Sequence, residues 1–230
     1  MKKKASILIY AVIMGLLLLS SSCKRDEPEE KIEVSDVEGN IYRAVTIGTQ
    51  TWMAENLKTT KYNDGTPIPT GPTNSQWSGL SSGAYTIYPH ADIEGLNSDA
   101  EVLKAYGVLY NWYAVETGNL CPIGWHLPTD SEWFELLDYV EILFSGKKLK
   151  STSGWIDNAN GVDVYGFSAL PAGYRDNDGA FSSVGSYSGW WNCTQFDTMS
   201  AHFTSMSSGL LVFRGAYNKN HGFSVRCLKD

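Results

Sequence analysis

Apolar positions are most regular between Trp133 and Leu143, where Trp133, Leu136, Leu137, Val140 and Leu143 stand at i, i+3, i+4, i+7 and i+10. That spacing lays one apolar face along an amphipathic helix. Thr129 opens it, with Glu132 placed to complete a capping box, and Ser145-Gly146 closes it. A second, weaker helical stretch is predicted from Ala105 to Ala114. Other apolar runs are short, aromatic or β-branched, and separated by glycine, as strands are. They are Tyr42 to Ile47 after a Gly39-Asn40 hairpin turn, Trp190 to Thr194, Ala201 to Thr204, Leu210 to Arg214 and Phe223 to Leu228. From Tyr62 to Ala100, Gly, Ser, Pro, Asn and Thr dominate, which predicts surface loops. The pattern predicts an α+β domain in which one dominant amphipathic helix packs on small twisted antiparallel sheets with long irregular loops.

The start of the chain follows another rule. Met1-Lys2-Lys3-Lys4 precedes an apolar run from Ala5 to Leu19, then Ser20-Ser21-Ser22-Cys23. The run is shorter than the roughly 20 residues of a membrane span, and a basic start, an apolar stretch and small residues before a cysteine read as a secretory signal. The motif resembles a bacterial lipobox, in which the cysteine thiol is lipidated and becomes the new N-terminus, although Ser20 and not an aliphatic residue stands three places before Cys23. Residues 1–22 are then a signal peptide, and 23–34 a lipidated cysteine with a charged, flexible tether. Residues 35–230 form one domain. The Lys24-to-Glu33 segment also resembles the surface-export signal of Bacteroidota lipoproteins, and reads equally well as a solvated linker.

Charge narrows the partners. Removing Lys2, Lys3 and Lys4 with the leader takes the formal charge from −7 to −10. Such an acidic chain without a basic cluster argues against nucleic acid. Of the four cysteines, Cys121, Cys193 and Cys227 remain after Cys23 is assigned to lipid. Secretion permits disulfides, and pairing Cys121 with Cys227 would tie the C-terminal strand to the middle of the fold. Cys193 is then expected as a free, buried thiol.

Several of these segments carry a family likeness. Ile47-Gly48, Gln50, Trp52-Met53 and Glu55-Asn56-Leu57-Lys58 begin it. Tyr106 to Ala114, Cys121 to Thr129 and Glu132-Trp133 continue it, and Gly166 to Gly173 and Ser224 to Cys227 complete it. These blocks resemble the Fibrobacter succinogenes major paralogous domain. The resemblance implies a C-type-lectin-like fold, related to that of formylglycine-generating enzymes, on a secreted or lipid-anchored bacterial surface protein. It does not imply an activity, because one fold hosts many functions.

Candidate chemistry is sparse. An oxidase of the formylglycine-generating kind needs two thiolates in one metal site, and only Cys193 is left unpaired. Asp157, Asn160 and Asp163 gather oxygens of the kind calcium prefers, but without EF-hand spacing, and Asn160-Gly161 is equally a turn. The Glu-Pro-Asn and Trp-Asn-Asp motifs of calcium-dependent lectins are absent. The four histidines lack metal-ligand spacing, and His126 reads as a structural partner of the helix cap. Eight tryptophans and thirteen tyrosines serve either as core wedges or as exposed rings that stack on sugars or anchor proteins. The expectation is therefore an outer-membrane, lipid-anchored, surface-exposed protein that displays a non-catalytic domain for a glycan, polymer or protein. The alternatives are a divergent enzyme or a structural component of envelope assembly.

Overall fold

The computed structural model describes residues 32–230. The strands are β1 (Ile32–Ser35), β2 (Ile41–Ile47), β3 (Gln50–Met53), β4 (Tyr85–Thr86), β5 (Leu109–Tyr110), β6 (Trp125–His126), β7 (Tyr174–Arg175), β8 (Phe181–Ser182), β9 (Ser188–Gln195), β10 (Ser200–Met206), β11 (Val212–Asn218) and β12 (Leu228–Lys229). The helices are α1 (Asn74–Ser78), α2 (Asp99–Tyr106), α3 (Trp112–Val115), α4 (Asp130–Tyr139) and α5 (Ser145–Leu149). A five-stranded sheet runs in the order β1-β2-β3-β12-β6, a three-stranded sheet in the order β11-β10-β9, and β4-β5 and β7-β8 form two small pairs. The strands within these sheets pair antiparallel. The domain is thus mixed α+β, with several short helices.

No helix among the described residues dominates. The capping box at Thr129 and Glu132 forms as the sequence predicts, but α4 is 10 residues long and stops at Val140. Glu141 then takes a left-handed backbone (φ 68°), which breaks the helical path. A contact distant in sequence explains the break: the amides of Gly146 and Lys147 bond the Leu210 carbonyl, and the Ser145 hydroxyl accepts from Val212 N. Leu143, placed on the buried face by its spacing, is 70% exposed. The second expected helix is also redrawn. Gly107 ends α2 at φ 78°, where an added Cβ would lie 2.6 Å from the Leu57 carbonyl, and the chain then enters β5 before α3 begins. Gly222, Phe223 and Ser224 form isolated bridges instead of a continuous strand.

Two aromatic cores hold these layers together. One surrounds Tyr110, Trp191, Phe203, Phe223 and the cysteines Cys121 and Cys227. The other packs Trp52, Trp133, Phe167 and Trp190 under α4. Seven of the eight tryptophans are buried, so the core reading holds for that residue type. The exposed rings belong to Phe and Tyr. Cys121 and Cys227 are joined by a disulfide that spans 106 residues, and no described helix is long and apolar enough to cross a membrane. Cys23, residues 1–22 and the first part of the tether lie outside the described residues.

Candidate functional site

The N-terminus of α4 gathers charged, polar and aromatic side chains from several elements. Thr129 Oγ1 accepts from Glu132 N at 3.2 Å, while Thr129 N donates to Glu132 Oε2 at 2.7 Å. The other Glu132 oxygen lies 3.0 Å from His126 Nε2, and His126 Nδ1 lies 2.7 Å from Asp230 Oδ1. Burial alone would lower the His126 pKa, but the two carboxylates outweigh it and raise it above the ordinary imidazole value. Glu132 moves the opposite way: partial burial opposes its charge, and the bonds from Thr129 and His126 overcome that and lower its pKa. His126 thus braces β6 and the C-terminal strand against the helix cap.

Asp130, the first residue of α4, reaches toward the three-stranded sheet. Its Oδ1 accepts from Arg214 Nε and from Asn192 Nδ2, each at 3.2 Å, and its Oδ2 accepts from Arg214 Nη2. The forked pairing of guanidinium and carboxylate fixes both side chains. His202 Nδ1 lies 3.7 Å from Asp130 Oδ1, and Asp130 N donates to Thr194 Oγ1 at 3.2 Å. Aromatic rings flank this row. The Arg214 guanidinium sits 5.1 Å from the Phe134 centroid, and Phe196 meets His202 edge-on at 5.3 Å. Phe134 is 48% and Phe196 61% exposed, whereas Asp130, His202 and Arg214 are about a quarter exposed. Because Arg214 holds both Asp130 oxygens, this carboxylate is poorly placed to act as a general base. The partly exposed row presents hydrogen-bond donors and acceptors to solvent. Gly48, Thr49, Glu135, Asp138 and Tyr139 line a separate cavity of about 430 Å³.

The sequence-derived candidates lie elsewhere or differ. Cys193 is free but exposed, contrary to the expected burial, because the β9–β10 register shifts between Ala201 and Phe203 and turns that edge outward. Partial desolvation, followed by the charge of Glu132, raises its thiol pKa. The calcium loop is already occupied by protein donors. Asp163 accepts from Ser168 N and Oγ, Asn160 Oδ1 accepts from Trp155 N, and the Asn160 carbonyl accepts from Lys147 Nζ. Asp157 is exposed, and no group of three or more His, Cys, Asp or Glu among the described residues could hold a metal ion. The residues that sequence reasoning missed are Phe134, Phe196, His202 and Arg214. Phe134 did carry a signal, since it breaks the polar face of α4 beside the Trp133 stripe.

A second polar centre is fully buried. Arg226, 1% exposed, donates from Nε to Asn56 Oδ1 at 2.9 Å, from Nη2 to the Ser168 carbonyl at 3.1 Å and from Nη1 to the Phe167 carbonyl. Its guanidinium lies 4.3 Å from the Phe167 ring centroid and 5.6 Å from that of Trp190. Asn56 also accepts from Trp190 Nε1 and donates to Ser224 Oγ and the Tyr106 carbonyl. Burial lowers the Arg226 pKa to about 9, opposed by Asp163 and Glu55, so the group stays charged at neutral pH. Asn56, Phe167, Ser168, Ser224 and Arg226 come from segments distant in sequence, and all belong to the family-like blocks. The family model described as the Fibrobacter succinogenes major domain matches residues 45–229. The chain belongs to that family. The matched span contains both the Arg226 centre and the α4 surface of this Fibrobacter succinogenes major domain. Neither the curated proteins nor the solved structures include a match to the chain.

Proposed function

We propose that this protein is a lipid-anchored component of the outer membrane, displaying a non-catalytic domain that binds an extracellular ligand through the surface at the start of α4. The anchor rests on the basic start, the apolar run and Cys23. Dual or triple acylation of one cysteine supplies the two membrane signals that stable attachment needs. The binding role rests on one observation above the rest: Phe134 and Phe196 stand exposed on either side of the Asp130–Arg214–His202 row. Rigid, half-exposed rings beside ordered polar groups are the chemistry of recognition sites. The C-type-lectin-like assignment of the fold belongs to the same reading. Its supports are the disulfide to the terminal strand and the long, weakly regular stretch between β3 and α2.

The state of Cys193 speaks against that thiol as a catalytic nucleophile. Nucleophilic cysteines have lowered pKa values, whereas this thiol is raised. The test is to present the detergent-solubilised full chain to a glycan array and to envelope polymers, beside a screen for hydrolytic or oxidative turnover. Saturable binding without turnover supports the reading. Turnover abolished by Cys193→Ser, together with no saturable ligand, contradicts it.

A further inference from the structure

We infer that the Phe134–Phe196 surface takes the uncharged sugar rings of a neutral oligosaccharide and does so without calcium. This inference rests on the binding role proposed above and names the ligand class for the same residues.

The argument begins with the rings. Phe134 is held from one side by the Arg214 guanidinium and Phe196 by the edge-on His202 imidazole, yet both keep about half or more of their surface in water. A ring already held needs little ordering when a ligand arrives. The C–H face of a pyranose is flat, apolar and slightly positive, and it matches the negative face of an aromatic ring.

Charge then selects among sugars. The row between the rings contains one carboxylate and one guanidinium, and each neutralises the other through the forked pair. A uronic acid would need a cation that Asp130 does not already hold. An amino sugar would need a carboxylate that Arg214 does not already hold. Hydroxyl groups need neither, because they both donate and accept. The partly exposed edges of Asp130, Arg214 and His202 offer both kinds of partner.

The same pairing disfavours calcium. A calcium ion seeks several free oxygens at about 2.3 to 2.6 Å. Between the rings both Asp130 oxygens accept from Arg214, and Asp197, beside Phe196, spends its Oδ1 on the Met199 and Ser200 amides. A protein partner fits less well, since binding energy between proteins concentrates in a continuous desolvated centre. Here the apolar area is divided in two by the polar row.

The experiment titrates the detergent-solubilised full chain with cellohexaose and mannohexaose as neutral probes, oligogalacturonate as the acidic probe and chitosan hexamer as the cationic one, each with and without EDTA. At least one neutral probe is expected to bind, with both charged probes at least about tenfold weaker and EDTA without effect. Phe134→Ala and Phe196→Ala should each weaken binding about fivefold, Phe134→Tyr should retain it, and Ile123→Ala, an exposed site away from the row, should match wild type. Unchanged thermal midpoints would separate lost contacts from lost folding. Preference for a charged probe, loss of binding in EDTA, wild-type affinity in both Phe→Ala variants, or no binding to either neutral probe would overturn the inference. Saturable binding of a protein or charged glycan with wild-type affinity in the Phe variants would overturn this inference while leaving the broader binding role standing.

Discussion

Replacing Arg226 by methionine is the sharpest test of how the fold is held. The guanidinium is 1% exposed and donates to three neutral oxygens, on Asn56, Phe167 and Ser168. Methionine fills much of the same space but leaves the Phe167 and Ser168 carbonyls without these donors, at about 1 to 3 kcal/mol each. The stacking on Phe167 adds up to about 2 kcal/mol. Against these losses stands the relief of no longer burying a charge, worth several kcal/mol. Asn56 Oδ1 keeps its bond from Trp190 Nε1, so it adds little to the deficit. At the middle of these ranges, about 5 kcal/mol lost against about 3 regained, the balance is a net loss of about 2 kcal/mol, and each kcal/mol is roughly 2 to 4 °C in Tm at this size. Urea unfolding followed by tryptophan fluorescence measures it, because Trp190 lies against the guanidinium. Arg226→Lys should fall between wild type and the methionine variant, keeping the charge but losing the planar fork. Should Arg226→Met equal or exceed wild type in stability, the centre would be a desolvation burden and not a clasp, and the reasoning would fail.

Other expectations follow from the same geometry. Reducing the Cys121–Cys227 bridge frees a loop of 106 residues, and loop-closure entropy puts the loss at about 4 to 5 kcal/mol before any strain is subtracted; melting with and without reductant checks it, and an unchanged midpoint refutes it. In the native protein, maleimide should label Cys193, while Cys121 and Cys227 should react only after reduction; because the Cys193 pKa is raised, labelling should accelerate as pH rises toward 9. His126 has a raised pKa in the folded state, so its contribution is full below the ordinary imidazole pKa and is lost as pH rises through the folded value. His126→Gln should therefore flatten the fall of Tm with pH across this range, and parallel curves for the two proteins would refute the pairing with Glu132 and Asp230. At Gly161 an added Cβ would lie 1.9 Å from the Lys150 carbonyl, so Gly161→Ala should cost more than about 2 kcal/mol in urea unfolding.

The sequence disclosed what local chemistry decides and hid what distant contacts decide. Thr129 and Glu132 lie three residues apart, so the start of α4 was legible. Its end depends on the Leu210 carbonyl and Val212 amide meeting Ser145 to Lys147, which no periodicity encodes. Trp190 and Trp191 point into the two different cores, so alternation along β9 gave no sign that a register shift would expose Cys193. The oxygen-rich loop around Asp163 offered calcium-type oxygens or a plain turn, and its bond from Lys147 comes from a helix earlier in the chain that the spacing does not reveal. The α4 surface was illegible for the same reason. Asp130 and Arg214 meet across 84 residues, and neither is unusual where it stands in the chain. Asn56 entered the sequence reading as part of a family-like block, and the guanidinium it supports, 170 residues away, went unnoticed.

The central claim is that ligand meets this protein at the start of α4. Nuclear magnetic resonance of the isotopically labelled full chain, titrated with a neutral hexasaccharide, tests it directly. Saturable shifts confined to Asp130, Phe134, Phe196, His202, Arg214 and their immediate neighbours are the predicted result. Shifts centred on the Gly48–Tyr139 cavity, with the α4 row unmoved, would contradict it.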